Sequence, residues 1–289
     1  MPSPAFHSPK SVADAVALLA ADPDARVLSG GTDLIVQMKS GRVAPTSIID
    51  IKRIGGMIGV RQDSSGFKIG AATPCTALKD DKALAAAWPG VVEAANLIGS
   101  VQVRGRATMA GNLCNASPAA DSVPALVAAG ATCRIVGPGG MRELAAEMIT
   151  SGPGQTRLAP GEIIAEICLP LRPRGGGDAY LRSIPRTEMD IAVVGAGAAL
   201  VLDASGTCTA ARIALGAVGP TVILAEAAGA ALVGTRLDDA ALDAMAQEVR
   251  AVCQPIDDKR GTAAYRTAMA AVLARRVVKL AQARAGVAE

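Results

Sequence analysis

Two segments of the chain carry residue types and spacings that can do chemistry. The first is Leu28-Ser29-Gly30-Gly31-Thr32-Asp33-Leu34. Arg26 to Ser29 reads as a short strand and Leu34 to Ser40 as a helix stopped by Gly41, so the paired glycines fall at a strand–helix turn. Glycines let successive backbone N–H groups converge, and a helix N-terminus adds positive partial charge; together they can hold a pyrophosphate. The segment matches neither the Walker A pattern nor G-x-G-x-x-G. By itself it is explained more simply as a tight connection. The second segment runs from Thr108 to Asp121 and is poor in bulky side chains. Small residues permit close approach of a ligand to the backbone. Asn112, Asn115, Ser117 and Asp121 supply directional hydrogen bonds. A long ordered loop with internally satisfied Asx turns explains this composition equally well.

The flanking elements must position these groups. Ser11 to Asp14 is a capping box with Asp in the place of the usual Glu, and it opens a helix with Val12, Val16 and Leu19 on one face. Ser47–Ile51 reads as a strand, so strand and helix alternate over the first fifty residues as in a small parallel α/β unit. Strands are expected at 67–70, 133–136 and 163–169, and a helix over about 90–98. Thr73-Pro74 opens a further helix, with Pro suited to the first helical position. Asp121 or Ser122 caps a helix over 123–129 that Gly130 ends. Residues 170–178 (PLRPRGGGD) form a linker by composition. Beyond it, 180–184, 191–202 and 209–217 are spaced as a three-stranded antiparallel meander, followed by helices over about 223–232, 238–252 and 260–285. The fold class is α+β, with an N-terminal domain over 1–174 (subdomains 1–56 and 57–174) and a C-terminal domain over 175–289.

Composition excludes several functions. The 289 residues are 51% hydrophobic but only 2% aromatic, so the core must be aliphatic and a platform of stacked rings for single-stranded nucleic acid is excluded. A net charge of +3 argues against nucleic-acid or membrane-surface partners. His7 is the one histidine, which argues against triad hydrolysis and excludes a His-rich metal site. The six cysteines show no CxxC-type spacing, so neither zinc nor an iron–sulfur cluster is expected, and buried reduced thiols are. No apolar run is long enough to span a membrane, and Met1-Pro2-Ser3-Pro4 lacks a signal pattern, which points to the cytoplasm.

Taken together, the segments resemble the FAD-binding (medium) subunit of molybdenum hydroxylases, the xanthine dehydrogenase and carbon monoxide dehydrogenase family. Its flavin domain is of the PCMH, or vanillyl-alcohol-oxidase, type. Ser29–Ile35 resembles the first FAD motif, and Thr108–Asn112 with Ala116–Asp121 resembles the second. Glu162–Pro170, Tyr180-Leu-Arg, Asp190-Ile-Ala192 and Ile213–Pro220 are similar to later family segments. The resemblance implies that Leu28, Ser29, Gly30, Gly31, Thr32, Asp33 and Leu34 line the FAD pyrophosphate, and that Thr108, Ala110, Gly111 and Asn112 hold the other side of the cofactor. Asn115 and Asp121 then bond its phosphate, ribityl or adenosine groups, Ile164 packs on the flavin with Tyr180 as its nearest aromatic, and Arg182 stands where the family commonly has Lys near the ring. Ala110 departs from the family's usual Gly, which would crowd the phosphate approach, and Gly105 follows Arg104 where the family often has Asn.

The family's mechanism is electron transfer. Substrate is oxidised at a molybdenum cofactor on a large subunit, electrons cross two 2Fe–2S clusters on a small subunit, and noncovalent FAD on this chain passes them to NAD, oxygen or a quinone. The implied partners are those two subunits, in a heterotrimer or its dimer. Three other readings stand beside it: a self-sufficient FAD-dependent oxidoreductase, an assembly subunit that has lost FAD, and a two-domain small-molecule binding protein.

Overall fold

The computed structural model describes residues 3–286; Met1-Pro2, the first half of the Met1–Pro4 segment read for a signal pattern, and residues 287–289 lie outside it. The first layer is a parallel sheet of β1 (Ala5–His7), β2 (Arg26–Leu28) and β3 (Ser47–Asp50), in the order β1-β3-β2. Parallel neighbours need crossovers, and α1 (Val12–Ala21) and α2 (Leu34–Lys39) supply them. Ser11 caps α1, its hydroxyl accepting from the Asp14 N–H at 3.1 Å. Asp14 is shorter than Glu and takes the Ser11 hydroxyl at 2.7 Å.

An antiparallel sheet follows. Its strands are β4 (Val60–Asp63), β5 (Gly66–Gly70), β6 (Thr132–Gly137), β7 (Gly140–Ala145) and, after the hairpin β8 (Thr150–Gly152) and β9 (Gln155–Thr156), β10 (Ile163–Pro170). The order is β4-β5-β10-β6-β7. Between β5 and β6 the chain runs through α3 (Cys75–Leu78), α4 (Lys82–Ala87), α5 (Pro89–Ala95), α6 (Val101–Arg104), α7 (Met109–Cys114) and α8 (Ser122–Ala128). Three expectations change here. Pro74 is the extended N-cap of α3, not its first helical residue. Thr108–Asp121 is no continuous loop, because α7 lies inside it. Asp121 precedes α8 but makes no side-chain cap, its carboxylate being taken by Tyr180 and Arg182.

The C-terminal sheet is four-stranded, not three: β11 (Gly176–Ser183), β12 (Val194–Leu202), β13 (Cys208–Gly216) and the short β14 (Ile223–Leu224), all antiparallel. Because β11 starts at Gly176 and β10 runs to Pro170, the irregular connection shrinks to 171–175. Strand β12 begins at Val194, not Ile191, since the Arg186–Asp190 ion pair at 3.1 Å holds the preceding residues in a turn. Helices α9 (Glu226–Ala230), α10 (Asp239–Val252) and α11 (Ala263–Ala285) complete the chain.

Period-two alternation makes this sheet two-faced. Ala179, Val194, Ala196 and Leu215 join a core with Leu242, Met245, Leu273 and Val277 of α10 and α11. Asp178, Tyr180 and Arg182 point the other way, towards the N-terminal helices, bonding Val91 and Asp121. Glycines set the spacing on both faces. A Cβ on Gly177 would lie 2.0 Å from the Ala281 carbonyl oxygen of α11, and one on Gly197 2.5 Å from that of Pro124 in α8. The second, larger core gathers Ile49, Phe67, Leu113, Leu126, Ile135 and Ile163 beneath the first two sheets.

Candidate functional site

Strand β2 delivers the glycine turn. The Ser29 hydroxyl donates to the Ala71 carbonyl at 3.0 Å and lies 3.0 Å from the Thr108 hydroxyl. Lys52 Nζ, paired with Asp50 at 2.6 Å, donates to the Ser29 carbonyl at 3.0 Å. Gly30 is pressed onto the backbone before Thr108: a Cβ there would sit 2.0 Å from the Arg106 carbonyl oxygen. Gly31 has φ +79°, a conformation L residues avoid. Helix α2 has only six residues, so this turn offers local N–H donors more than a summed dipole. Burial raises the Asp33 carboxyl above its usual range, with the Thr32 hydroxyl opposing.

The second segment is a capped helix. Thr108 is the N-cap of α7, accepting the Gly111 N–H at 3.0 Å. That cap explains Gly111, whose Cβ would crowd the Thr108 hydroxyl at 2.9 Å. Asn112 Oδ1 accepts from both the N–H and the hydroxyl of Ser122, at 3.2 and 2.8 Å. Asn115 bridges back to the first segment, accepting from Gln37 Nε2 at 2.9 Å and donating to Asp33 Oδ1 at 3.3 Å. Residues about eighty positions apart are thus tied side chain to side chain at Ser29–Thr108 and Asp33–Asn115.

Between the segments lies a cleft of about 920 Å³. Ser29, Gly30, Gly31, Thr32, Asp33 and Leu34 line one side, and Thr108, Ala110, Gly111, Asn112 and Asn115 another, with Ile164 contributed by β10. Four expected residues do not line it. Leu28 ends β2 and packs its side chain under Gly31. Asp121 and Arg182 pair with each other at 2.7 Å in near-complete burial. Tyr180 also stays out of the cleft, donating its hydroxyl to Asp121 at 3.3 Å; burial raises both the Tyr180 phenol and the Asp121 carboxyl, the latter against the pull of Arg182. No aromatic side chain lines the cleft among the described residues.

Sequence reasoning missed Arg26, Gln37, Arg42, Leu158 and Ile163, which also line it. Gln37 stands one helical turn beyond Asp33, so its face was deducible. Leu158 and Ile163 arrive only through sheet topology. The cleft is large enough for a dinucleotide, its glycine turn brings backbone close, and its lining mixes aliphatic with polar side chains, Arg26 and Arg42 among them.

Comparison with known proteins agrees. Residues 3–172 match the FAD binding domain in molybdopterin dehydrogenase, and 179–281 match the CO dehydrogenase flavoprotein C-terminal domain. The chain is 41% identical to the carbon monoxide dehydrogenase medium chain of Afipia carboxidovorans over 97% of each. It is 30% identical to the xanthine dehydrogenase FAD-binding subunit of Escherichia coli O157:H7, again over 97% of each. It superimposes on a chain of the Cu,Mo-CO dehydrogenase crystal structure with a TM-score of 0.94 at 39% identity, covering 98% of this chain and 99% of that one. A chain of quinoline 2-oxidoreductase from Pseudomonas putida gives 0.90 at 28%, covering 98% of each. The chain therefore belongs to the FAD-binding medium subunits of the molybdenum hydroxylase family.

Proposed function

We propose that this chain is the FAD-carrying electron relay of a cytoplasmic molybdenum hydroxylase, working beside a large molybdenum-cofactor subunit and a small 2Fe–2S subunit as a heterotrimer or its dimer. The division into 1–174 and 175–289 separates the flavin unit from the unit that braces it. One observation carries the reading: two segments far apart in sequence converge, side chain to side chain, on a single dinucleotide-sized cleft. FAD held there would supply the redox chemistry, between the partner's clusters and an acceptor such as NAD, oxygen or a quinone.

The chain's own residues bind and orient. Backbone N–H groups of Gly30 to Asp33 would hold the pyrophosphate, and Gly30 keeps that backbone against Arg106. Thr108, Ala110, Gly111 and Asn112 present the short first turn of α7 from the other side. Ile163, Ile164 and Leu158 give the cleft an aliphatic wall that would shield a bound ring from water. Asp121 and Arg182 act from behind, neutralising each other and fixing the start of α8.

Titration of the purified chain with FAD tests the reading. Saturable uptake of one flavin is expected, easily read beside one Trp and two Tyr. Failure to take up FAD would sink it. Co-expression with the two partner types should yield one complex containing molybdenum, iron and flavin; recovery of the chain alone and metal-free from its host would refute the partnership.

A further inference from the structure

The wall of the cleft over Ala116–Pro118 is not held by its own sheet. Ala116 sits at φ +50°, and its carbonyl accepts from the Gly154 N–H at 3.0 Å. The next support comes from the other end of the chain. The Pro118 carbonyl accepts from the Ala217 N–H at 2.7 Å. Ala217 follows β13 and is itself left-handed, at φ +62°. A residue with a Cβ costs roughly 1–2 kcal/mol there, so something must hold it.

Arg266 does so. This α11 residue is 4% exposed. One guanidinium nitrogen donates to the carbonyls of Val193 at 2.7 Å and Ala217 at 3.4 Å, and the other meets Asp258 Oδ1 at 2.7 Å. The Val193 carbonyl fixes the approach to β12, and Asp258 the loop before α11. A planar fork can join three such acceptors at once, which an ammonium on a flexible stem cannot do as well. A guanidinium in the C-terminal unit thus secures the carbonyl of a left-handed residue whose own N–H reaches the lining of the proposed flavin cleft.

We infer that Arg266 is a positioning residue for FAD, acting through left-handed Ala217 on Pro118. The inference rests on the proposed flavin site, and its test separates the two. FAD affinity and backbone hydrogen exchange are measured on the full chain, wild type and Arg266→Met, with Arg275→Met as the control. Arg275 lies on the same helix but, among the described residues, pairs with Asp239 and Asp243. Thermal unfolding of each apo chain selects a temperature at which all are folded. The expected result is at least a tenfold weaker FAD affinity in Arg266→Met, about 1.4 kcal/mol, with faster exchange at Ala217 and loss of the FAD-induced protection over 116–121. Arg275→Met should stay within twofold of wild type. Should Arg266→Met not fold, Arg266→Lys is read in the same way, with an intermediate loss expected. A folded Arg266 variant that binds FAD like wild type, or exchanges unchanged at Ala217, overturns the inference while leaving the site intact. Absence of FAD protection over 29–34 and 108–118 in the wild type overturns the site itself.

Discussion

At the scale of single residues, the cleft depends on atoms that are missing as much as on those present. Gly30 is the sharpest case, since any Cβ there meets the Arg106 carbonyl oxygen at 2.0 Å and a backbone atom cannot swing aside. Gly30→Ala should cost roughly 1–3 kcal/mol in urea unfolding and abolish measurable FAD uptake. Gly41→Ala is the contrast: nothing lies near its Cβ, and only its φ of +71° opposes the change, so FAD affinity should be unaltered. Asp33 supports a second prediction. Burial raises its carboxyl above the usual range, and it lines the proposed phosphate side of the cleft. The ionised form repels a pyrophosphate, so the protonated form binds FAD better. Affinity should therefore rise as pH falls from above the raised value to below it. Asp33→Asn should flatten that slope and bind FAD at least as well at the upper end. An equal slope in both proteins would refute the assignment. Asp63, lowered to about 2 mainly by Ser65, and Asp203 and Asp258, also lowered, lose their own stabilising effect only as pH falls below the ordinary carboxylate range.

At the scale of elements, Thr108 does two things with one hydroxyl, capping α7 and touching Ser29 across the cleft. Thr108→Ala should cost about 1 kcal/mol as a lost N-cap and weaken FAD binding further than that loss predicts. Thr108→Ser keeps the oxygen and should restore both, as read by unfolding and FAD titration side by side. Equal effects of Ala and Ser would mean the methyl group, not the oxygen, matters. Thr108 also shows where the sequence was hard to read. Helix α7 is short, carries Gly111 inside, and ends its cap motif on Gly where a Glu or Gln signals a capping box, so composition suggested a loop. Strands β1, β4 and β7 were missed for a related reason: they are short or exposed edges, with little hydrophobic alternation to mark them. The capped α1, the buried β10 and the long α11 were legible because cap, apolar run and period agreed. The glycine turn was legible as chemistry, whereas the inward turn of Asp121 towards Arg182 depended on a strand sixty residues on and left no local sign.

At the scale of the whole molecule, β11 is where the two units become one. Its odd-numbered Gly177 and Ala179 serve the C-terminal core, and its even-numbered Asp178, Tyr180 and Arg182 reach into the flavin unit. Asp178 is the tightest of these, 3% exposed, paired with Arg172 at 2.8 Å and accepting the Val91 N–H at 3.2 Å. Arg172 comes from the connection itself; it also donates to the Ala87 and Gly176 carbonyls and stands over the Trp88 ring. Arg284 of α11 adds the Asp178 carbonyl and Glu93. A linker so stapled is no free hinge, and a strand shared by two cores cannot leave one without disturbing the other. Calorimetry should accordingly show one cooperative transition for the full chain. Asp178→Ala leaves the half-buried Arg172 guanidinium and the Val91 N–H without their anion and should cost about 3 kcal/mol, a large share of the 5–15 kcal/mol typical of a folded domain. Arg172→Met with Asp178→Leu removes both charges together and should cost clearly less. Two separate transitions in the wild type, or a double variant as damaged as Asp178→Ala, would show instead that the units fold independently and that the staple between them does not couple their stability.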